Sequence, residues 1–245
     1  MIEQAKRAFA ICKKDIRIYY FKGPVVIYGV LLPLFLFLAF WIGRDMPPNF
    51  LIPGMLGMSM FFTASSVVPV IVPWETRMKT LERLVSAPIS VASIILGDIL
   101  ASVVFGASLS IVPLLIGVAI GVRITNIEML ALGFLVGSFC FSSFAALLSS
   151  PPSDTPATIM MLSSLVKFPL VFISGVFIPL ENLQLWGRML ASISPLTYFV
   201  DLARGCMQGS SLYPPLLDLI ILACFALGFF FASIKLHERS LPKRL

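Results

Sequence analysis

Charge is scarce in this chain. Only 12% of its 245 residues are Asp, Glu, Lys or Arg, against roughly 25% in a soluble fold. Too few polar side chains remain to cover a water-facing surface, so the solvent to reason with is lipid. Imidazole is rarer still: His237 is the one histidine, and Cys12, Cys140, Cys206 and Cys224 are scattered with no C-x-x-C spacing. Neither a bound metal nor a structural disulfide is expected. An intramembrane enzyme, which needs His, Asp or Ser groups clustered at one depth, is disfavoured on the same ground. No G-x-x-x-x-G-K-[ST] phosphate loop occurs, so the chain does not hold ATP in that manner. A cleavable leader is not expected, because the first apolar run follows a charged stretch and closes on no A-x-A-like site.

What is abundant is apolar side chain, at 58%. It gathers in six runs, 24–42, 51–73, 94–121, 129–149, 158–178 and 215–234, each near the roughly 20 helical residues that cross a bilayer core. The runs are continuous rather than alternating, which selects helices over a barrel. Pro33, Pro69, Pro113 and Pro169 lie inside them and are tolerated in membrane helices as kinks. The expected fold is one all-α integral membrane domain over 1–245, with six transmembrane helices. The net charge of +6 sits between the runs, which points to membrane topology and not to nucleic acid. Thirteen Lys and Arg fall in 1–22, the second loop and the tail, against Arg44, Arg123, Arg188 and Arg204 on the other side. The excess places both termini in the cytoplasm, in an inner or plasma membrane.

Three connections have patterns of their own. In 1–22, Ile2, Ala5, Phe9, Cys12, Ile16 and Tyr19 recur at spacings of three and four, with Lys6, Arg7, Lys13, Lys14 and Arg17 between them. That is a basic amphipathic helix, expected to lie in the interface as an anchor, a role compatible with touching a cytoplasmic partner. The stretch 179–213 reads as two short helices forming a partly re-entrant outer hairpin. Leu183, Trp186, Leu190 and Ile193 mark one apolar stripe, and Ser194 with Pro195 starts a second helix that Gly205 and Gly209 end. The stretch WETRMKTLERLVSAPIS, 74–90, holds a short helix over 80–85. Glu75 with Arg77 and Glu82 with Arg83 read as solvated charges, while Leu81, Leu84 and Val85 form an apolar face and Pro88 stops the helix, as in an element that docks into a partner's groove.

Ionisable groups inside spans cost about 2.5 to 3.5 kcal/mol each. Lys167 lies about ten residues into the fifth run, and is expected either to face a translocation path, to pair with Asp218 of the sixth, or to stretch to the interface. Asp98 and Asp218, near span ends, are expected to be wetted. Gly117 with Gly121 and Gly133 with Gly137 have the G-x-x-x-G spacing that permits close helix approach.

The 74–90 stretch resembles the cytoplasmic loop of ABC-2 type transporter permeases, with Glu75, Thr80, Leu81, Glu82, Leu84, Pro88, Ile89 and then Gly97 matching. Lys79 stands where that family usually has Gly. FISGVFIPLENLQLWGRMLASISPLTYFVDLARG, 172–205, is similar to the family's late signature through Ser174, Gly175, Pro179, Leu183, Pro195, Leu196, Thr197, Tyr198, Asp201, Arg204 and Gly205. Gln184 and Ser194 replace its usual Pro and Asn, and FLIPG, 50–54, resembles the opening of its second span. The resemblance implies the membrane half of an ABC exporter of the daunorubicin-resistance kind. Such a subunit dimerises with a second permease half, binds no cofactor itself, and couples through the 1–22 helix and the 74–90 loop to an ABC ATP-binding subunit that carries ATP and Mg. The alternative is an ATP-independent secondary transporter or channel, which would show paired intramembrane charges or internal repeats.

Overall fold

The computed structural model describes residues 2–19, 23, 27, 31–42, 48–209 and 211–244. Eleven α-helices follow one another among them: α1 Ile2–Tyr19, α2 Leu32–Trp41, α3 Pro48–Ala64, α4 Val68–Arg77, α5 Thr80–Ser86, α6 Val91–Ala119, α7 Ile127–Leu148, α8 Pro156–Ile173, α9 Leu185–Ala191, α10 Pro195–Gln208 and α11 Pro215–Ser240. No strand occurs among the described residues. Five segments are long and apolar enough to cross a membrane: Asn49–Arg77, Val91–Ala119, Ile127–Leu148, Pro156–Ile173 and Pro215–Lys243. Residues 24–26 and 28–30 of the first expected run, 24–42, lie outside the described residues, as do Lys22 and Arg44.

Local chemistry sets the helix ends. Ser90 opens α6 by accepting from Ser93 N at 3.2 Å, and Asn126 opens α7 by accepting from Met129 N at 3.0 Å, each satisfying an otherwise orphaned donor. Proline stands at the start of α8, α10 and α11, where its missing N–H costs nothing. Gly209, at φ 72°, ends α10. Gly205, expected to share that task, lies inside the helix.

The bundle is built around the Asn49–Arg77 span, whose most apolar stretch is buried along its whole length. Phe61 of α3 meets Phe141 of α7 at 5.1 Å between ring centroids, and Phe141 meets Phe199 of α10 at 5.9 Å, both edge-on. The small-residue pair of α7 serves this core. A Cβ on Gly133 would stand 2.7 Å from Leu202, and one on Gly137 2.7 Å from Phe199, so the G-x-x-x-G spacing seats α10 within the chain. Gly117 in the same way admits Ile52 of α3.

α1 departs from its sequence reading. It packs along α6 on a face made of Ala8, Ile11, Cys12 and Asp15, all buried, whereas Phe9 of the expected stripe is 67% exposed. Apolar periodicity misplaced the face by about one residue because the true one contains a carboxylate. Close approach depends on Gly97, where a Cβ would lie 2.7 Å from Ile11 Cβ and 2.8 Å from Ala8 O. Gly97→Val is therefore expected to push α1 off α6 at a cost of about 1 to 3 kcal/mol. Trypsin cleavage after Lys13 and Arg17 in the purified chain should become several times faster, and unchanged cleavage would refute this packing role.

Candidate coupling site

One end of the bundle gathers α1, α5, the start of α6 and the chain's tail. Lys14 of α1 reaches across to the Glu75 carboxylate at the end of α4, with which it is hydrogen-bonded, and its Nζ lies 3.1 Å from Asp15 Oδ1. Glu75 is only 3% exposed, so the solvated charge expected from the sequence is a buried ion-pair partner. Burial pulls Lys14 down, but the Glu75 and Asp15 carboxylates outweigh it and hold the ammonium above the ordinary lysine range. Asp15, pushed up by burial against the pull of Lys14, faces Asp98 of α6. Asp98 is 1% exposed, which corrects the expectation that it is wetted: α1 covers it.

The same helix clamps the α5–α6 connection. Gln4 donates to Pro88 O at 3.4 Å and accepts from Ser93 Oγ at 2.9 Å and Ser90 N at 3.3 Å, and Arg7 also donates to Pro88 O. The expected short helix is present as α5, with Leu81 turned inward and Arg83 exposed. Thr80 Oγ1 ties its start to Glu75 O at 3.3 Å. Lys79, at φ 55°, is the only non-glycine described residue with a left-handed backbone. That conformation costs a side-chain-bearing residue about 1 to 2 kcal/mol, which gives a physical reason for glycine there.

Between α1 and α4–α5 runs a groove of about 360 Å³ lined by Lys14, Ile18, Trp74, Met78, Arg83 and Leu84. Of this lining Met78 and Arg83 are exposed and Leu84 is half-buried; elsewhere on α1 and in 74–90, Arg17, Arg77, Lys79 and Pro88 are exposed and Glu82 is half-buried. Beneath α5, a cavity of about 20 Å³ lies between Glu75, Leu81, Asp98, His237 and Arg244, room for about one water. His237 Nε2 is 2.8 Å from Ala146 O. A carbonyl only accepts, so Nε2 carries the proton and Nδ1 is left to accept from Arg244 at 3.4 Å. Arg244 also donates to Ser149 O at 2.7 Å, Ser150 O at 2.9 Å and Pro151 O at 3.1 Å, a cation on the negative end of α7. Sequence reasoning missed Arg244, which had counted only as one tail charge.

At the opposite end two separately recognised motifs, 50–54 and 172–205, meet. Arg204 Nη2 donates to Gly175 O at 2.7 Å, and its guanidinium stacks 4.4 Å over the Phe50 ring. Burial pulls Arg204 down to about 10, opposed by the Asp201 carboxylate. Gly175, at φ 79°, turns the chain after α8, and Pro179 precedes the short 3-10 turn Leu180–Asn182. Asp201 accepts from Leu212 N at 3.1 Å and Tyr213 N at 2.9 Å. Tyr198 Oη donates to Ser192 O at 3.0 Å and Thr197 Oγ1 to Ala191 O at 2.6 Å. Each of these signature side chains therefore supplies a partner to backbone that leaves helical geometry.

Of the expectations for the two span charges, the Lys167–Asp218 pair and the wetted Asp218 do not hold. Lys167 Nζ donates to Ser65 O at 2.6 Å and does not pair with Asp218. Asp218 is fully buried, faces Asp201, and is not wetted. The sequence could not bring Asp201 and Asp218 together, because they are joined only through the turn that Asp201 itself holds.

A helical bundle with this many apolar spans and an ordered, charged connection at one end is a multi-pass membrane protein. The chain belongs to the ABC-2 type transporter family, whose sequence profile matches residues 7–208, and it is a permease of that family. It is 24% identical over 202 residues to "Inner membrane transport permease YadH" of Escherichia coli (strain K12), covering 78% of this chain and 75% of that protein. It is 28% identical over 174 residues to "Putative transport permease ycf38" of Cyanophora paradoxa, 66% of this chain and 57% of that protein. To "Daunorubicin resistance ABC transporter permease protein DrrB1" of Streptomyces coeruleorubidus it is 26% identical over 129 residues, 51% and 44% of the two chains.

The Lys14–Glu75 pair yields a direct test. Lys14→Met leaves Glu75 buried without its cation, which costs about 3 kcal/mol or more. Adding Glu75→Gln should recover most of that loss in the thermal unfolding of the full chain in detergent, and losses that simply add would show that the two side chains do not depend on each other.

Proposed function

We propose that this chain is the membrane subunit of an ATP-driven exporter, joined to a second permease half and to separate subunits that bind ATP and Mg. The observation that carries this reading is the groove between α1 and α4–α5. It is apolar along Ile18, Trp74, Met78 and Leu84, its polar lining is Lys14, Glu75, Thr80 and Arg83, and the exposed Arg17, Arg77 and Lys79 adjoin lining residues in sequence. That combination suits a protein surface offering an apolar residue amid acidic ones. The groove is built on Glu75, the end of the deepest-buried span, so a push on it enters the bundle directly. Glu75, Thr80 and Leu81 set the shape of the site from below, and Arg77, Glu82, Leu84 and Pro88 stand nearer its surface.

The fuller topology belongs to the same proposal: 1–245 as a single domain, six spans, both termini cytoplasmic, and 179–213 as a partly re-entrant outer hairpin. α1 binds at one end of the bundle through Glu75 and Asp98, whereas Phe50, at the start of α3, meets Arg204 at the other. The chain between α1 and α3 must then cross the bundle's length, which supports the sixth span. The outward Leu185, Trp186 and Met189 of α9, with Ile193 just past its end, suit an interfacial position for the hairpin. Export rather than import is favoured by the daunorubicin-resistance name of one relative.

The test is co-expression with a candidate ATP-binding subunit. Combining Met78→Glu with Arg83→Glu should reduce co-purification about tenfold or more while leaving the chain's own melting temperature unchanged. Cargo movement in vesicles without any ATPase would instead establish the secondary transporter or channel.

A further inference from the structure

A lysine ten residues inside an apolar span needs a physical reason, and the backbone it touches supplies one. The second span is two helices: α3 stops at Ala64 and α4 starts at Val68. At the break the ladder shortens, with Ser66 N donating to Thr63 O at 3.2 Å and Val70 N to Val67 O at 3.0 Å. In an unbroken helix Ser65 O would accept from the N–H of residue 69. Residue 69 is proline, which has no N–H to give. The carbonyl that Pro69 cannot serve is the one to which Lys167 Nζ donates, at 2.6 Å. The neighbouring Phe62 O is served by Ser66 Oγ.

α8 grips both sides of the same break. Above it, Phe168 meets Phe62 of α3 at 5.6 Å between centroids. Below it, Met160 packs against the cluster of Val67, Val70 and Ile71. Beyond the break, α4 runs on to Glu75, and so to Lys14 and the α5 groove.

We propose that Lys167 is a positioning residue for transport, replacing the backbone donor that Pro69 lacks and so pinning a hinge at 65–69 that sets the angle of α4 beneath a fixed α3. Its functional half rests on the coupling reading above; its structural half stands on the geometry alone. A hinge is useful only if its two arms can be held at more than one angle, and a side chain reaching from another helix can be released where a backbone bond of the same helix cannot.

The arrangement makes a prediction peculiar to it. In the full chain in lipid nanodiscs, Lys167→Met should raise amide hydrogen exchange over 65–71 and along α4 by about tenfold or more, with α6 and α7 little changed. Adding Pro69→Ala restores the missing N–H to the span itself, and exchange in the double variant should return to within about twofold of wild type. Lys167→Arg, which keeps a donor, should retain most of the protection. Exchange at wild-type level in Lys167→Met, or a defect that Pro69→Ala leaves uncorrected, would overturn the hinge assignment. Transport is read separately: with the ATP-binding subunit present, Lys167→Met should lower cargo moved per ATP hydrolysed. Restored exchange alongside transport that needs no ATP would sink the exporter reading and leave the hinge standing.

Discussion

Inside a bilayer there is no water to satisfy a backbone group that leaves helical geometry, so each such group must find a partner within the protein. This constraint accounts for one distinct group of the polar side chains in the chain's interior. Ser66 and Lys167 serve carbonyls at the break in the second span. Thr197, Tyr198 and Arg204 serve carbonyls where the hairpin turns, and Asp201 serves the two amides that lead into α11. Arg244 covers the last carbonyls of α7. Few of these side chains are paired by charge. They are arranged by what the backbone leaves open.

The two ends of the bundle use polarity differently. At the hairpin end the contacts are mostly side chain to backbone, which fixes one shape. At the end holding α1 and α5, carboxyls of three helices converge on one lysine: Asp15, Glu75 and Asp98 around Lys14. A cluster of this kind is costly to take apart one member at a time and is sensitive to the position of each helix. Placing it directly beneath the groove means that a partner seated there acts on α1, α4 and α6 together.

Much of this architecture is legible in the sequence because apolar run length and helix-start chemistry are local. The spans from residue 49 onward, the α5 helix, and the Ser194–Pro195 start of α10 all appear where composition and spacing put them. What was not legible depends on partners distant in sequence. The face of α1 was misread because Asp15, a buried polar residue, completes it only once Asp98 is opposite. A pair between Lys167 and Asp218 is one of three readings that charge and depth leave open for the lysine. Pro69 supplied the missing signal: a proline in one span and a lone lysine in another can answer each other, and charge complementarity never searches for that pair.

The break also explains why the enclosed span can be both the core of the fold and the proposed path of coupling. A continuous helix buried along its length would transmit a push only by shifting the aromatic cluster around Phe61, which close packing resists. Division at 65–67 separates the tasks. α3 keeps its aromatic contacts with Phe141 and Phe144 of α7, while α4, ten residues and so about 15 Å long, spans from the break to Glu75. Its apolar contacts are with smaller clusters, Val67, Val70 and Ile71 with Phe105, and Val68 and Val72 with Ile95 and Ile99. A lever of that length, held by one side-chain donor at its inner end and one ion pair at its outer end, can turn while the core about Phe61 remains packed.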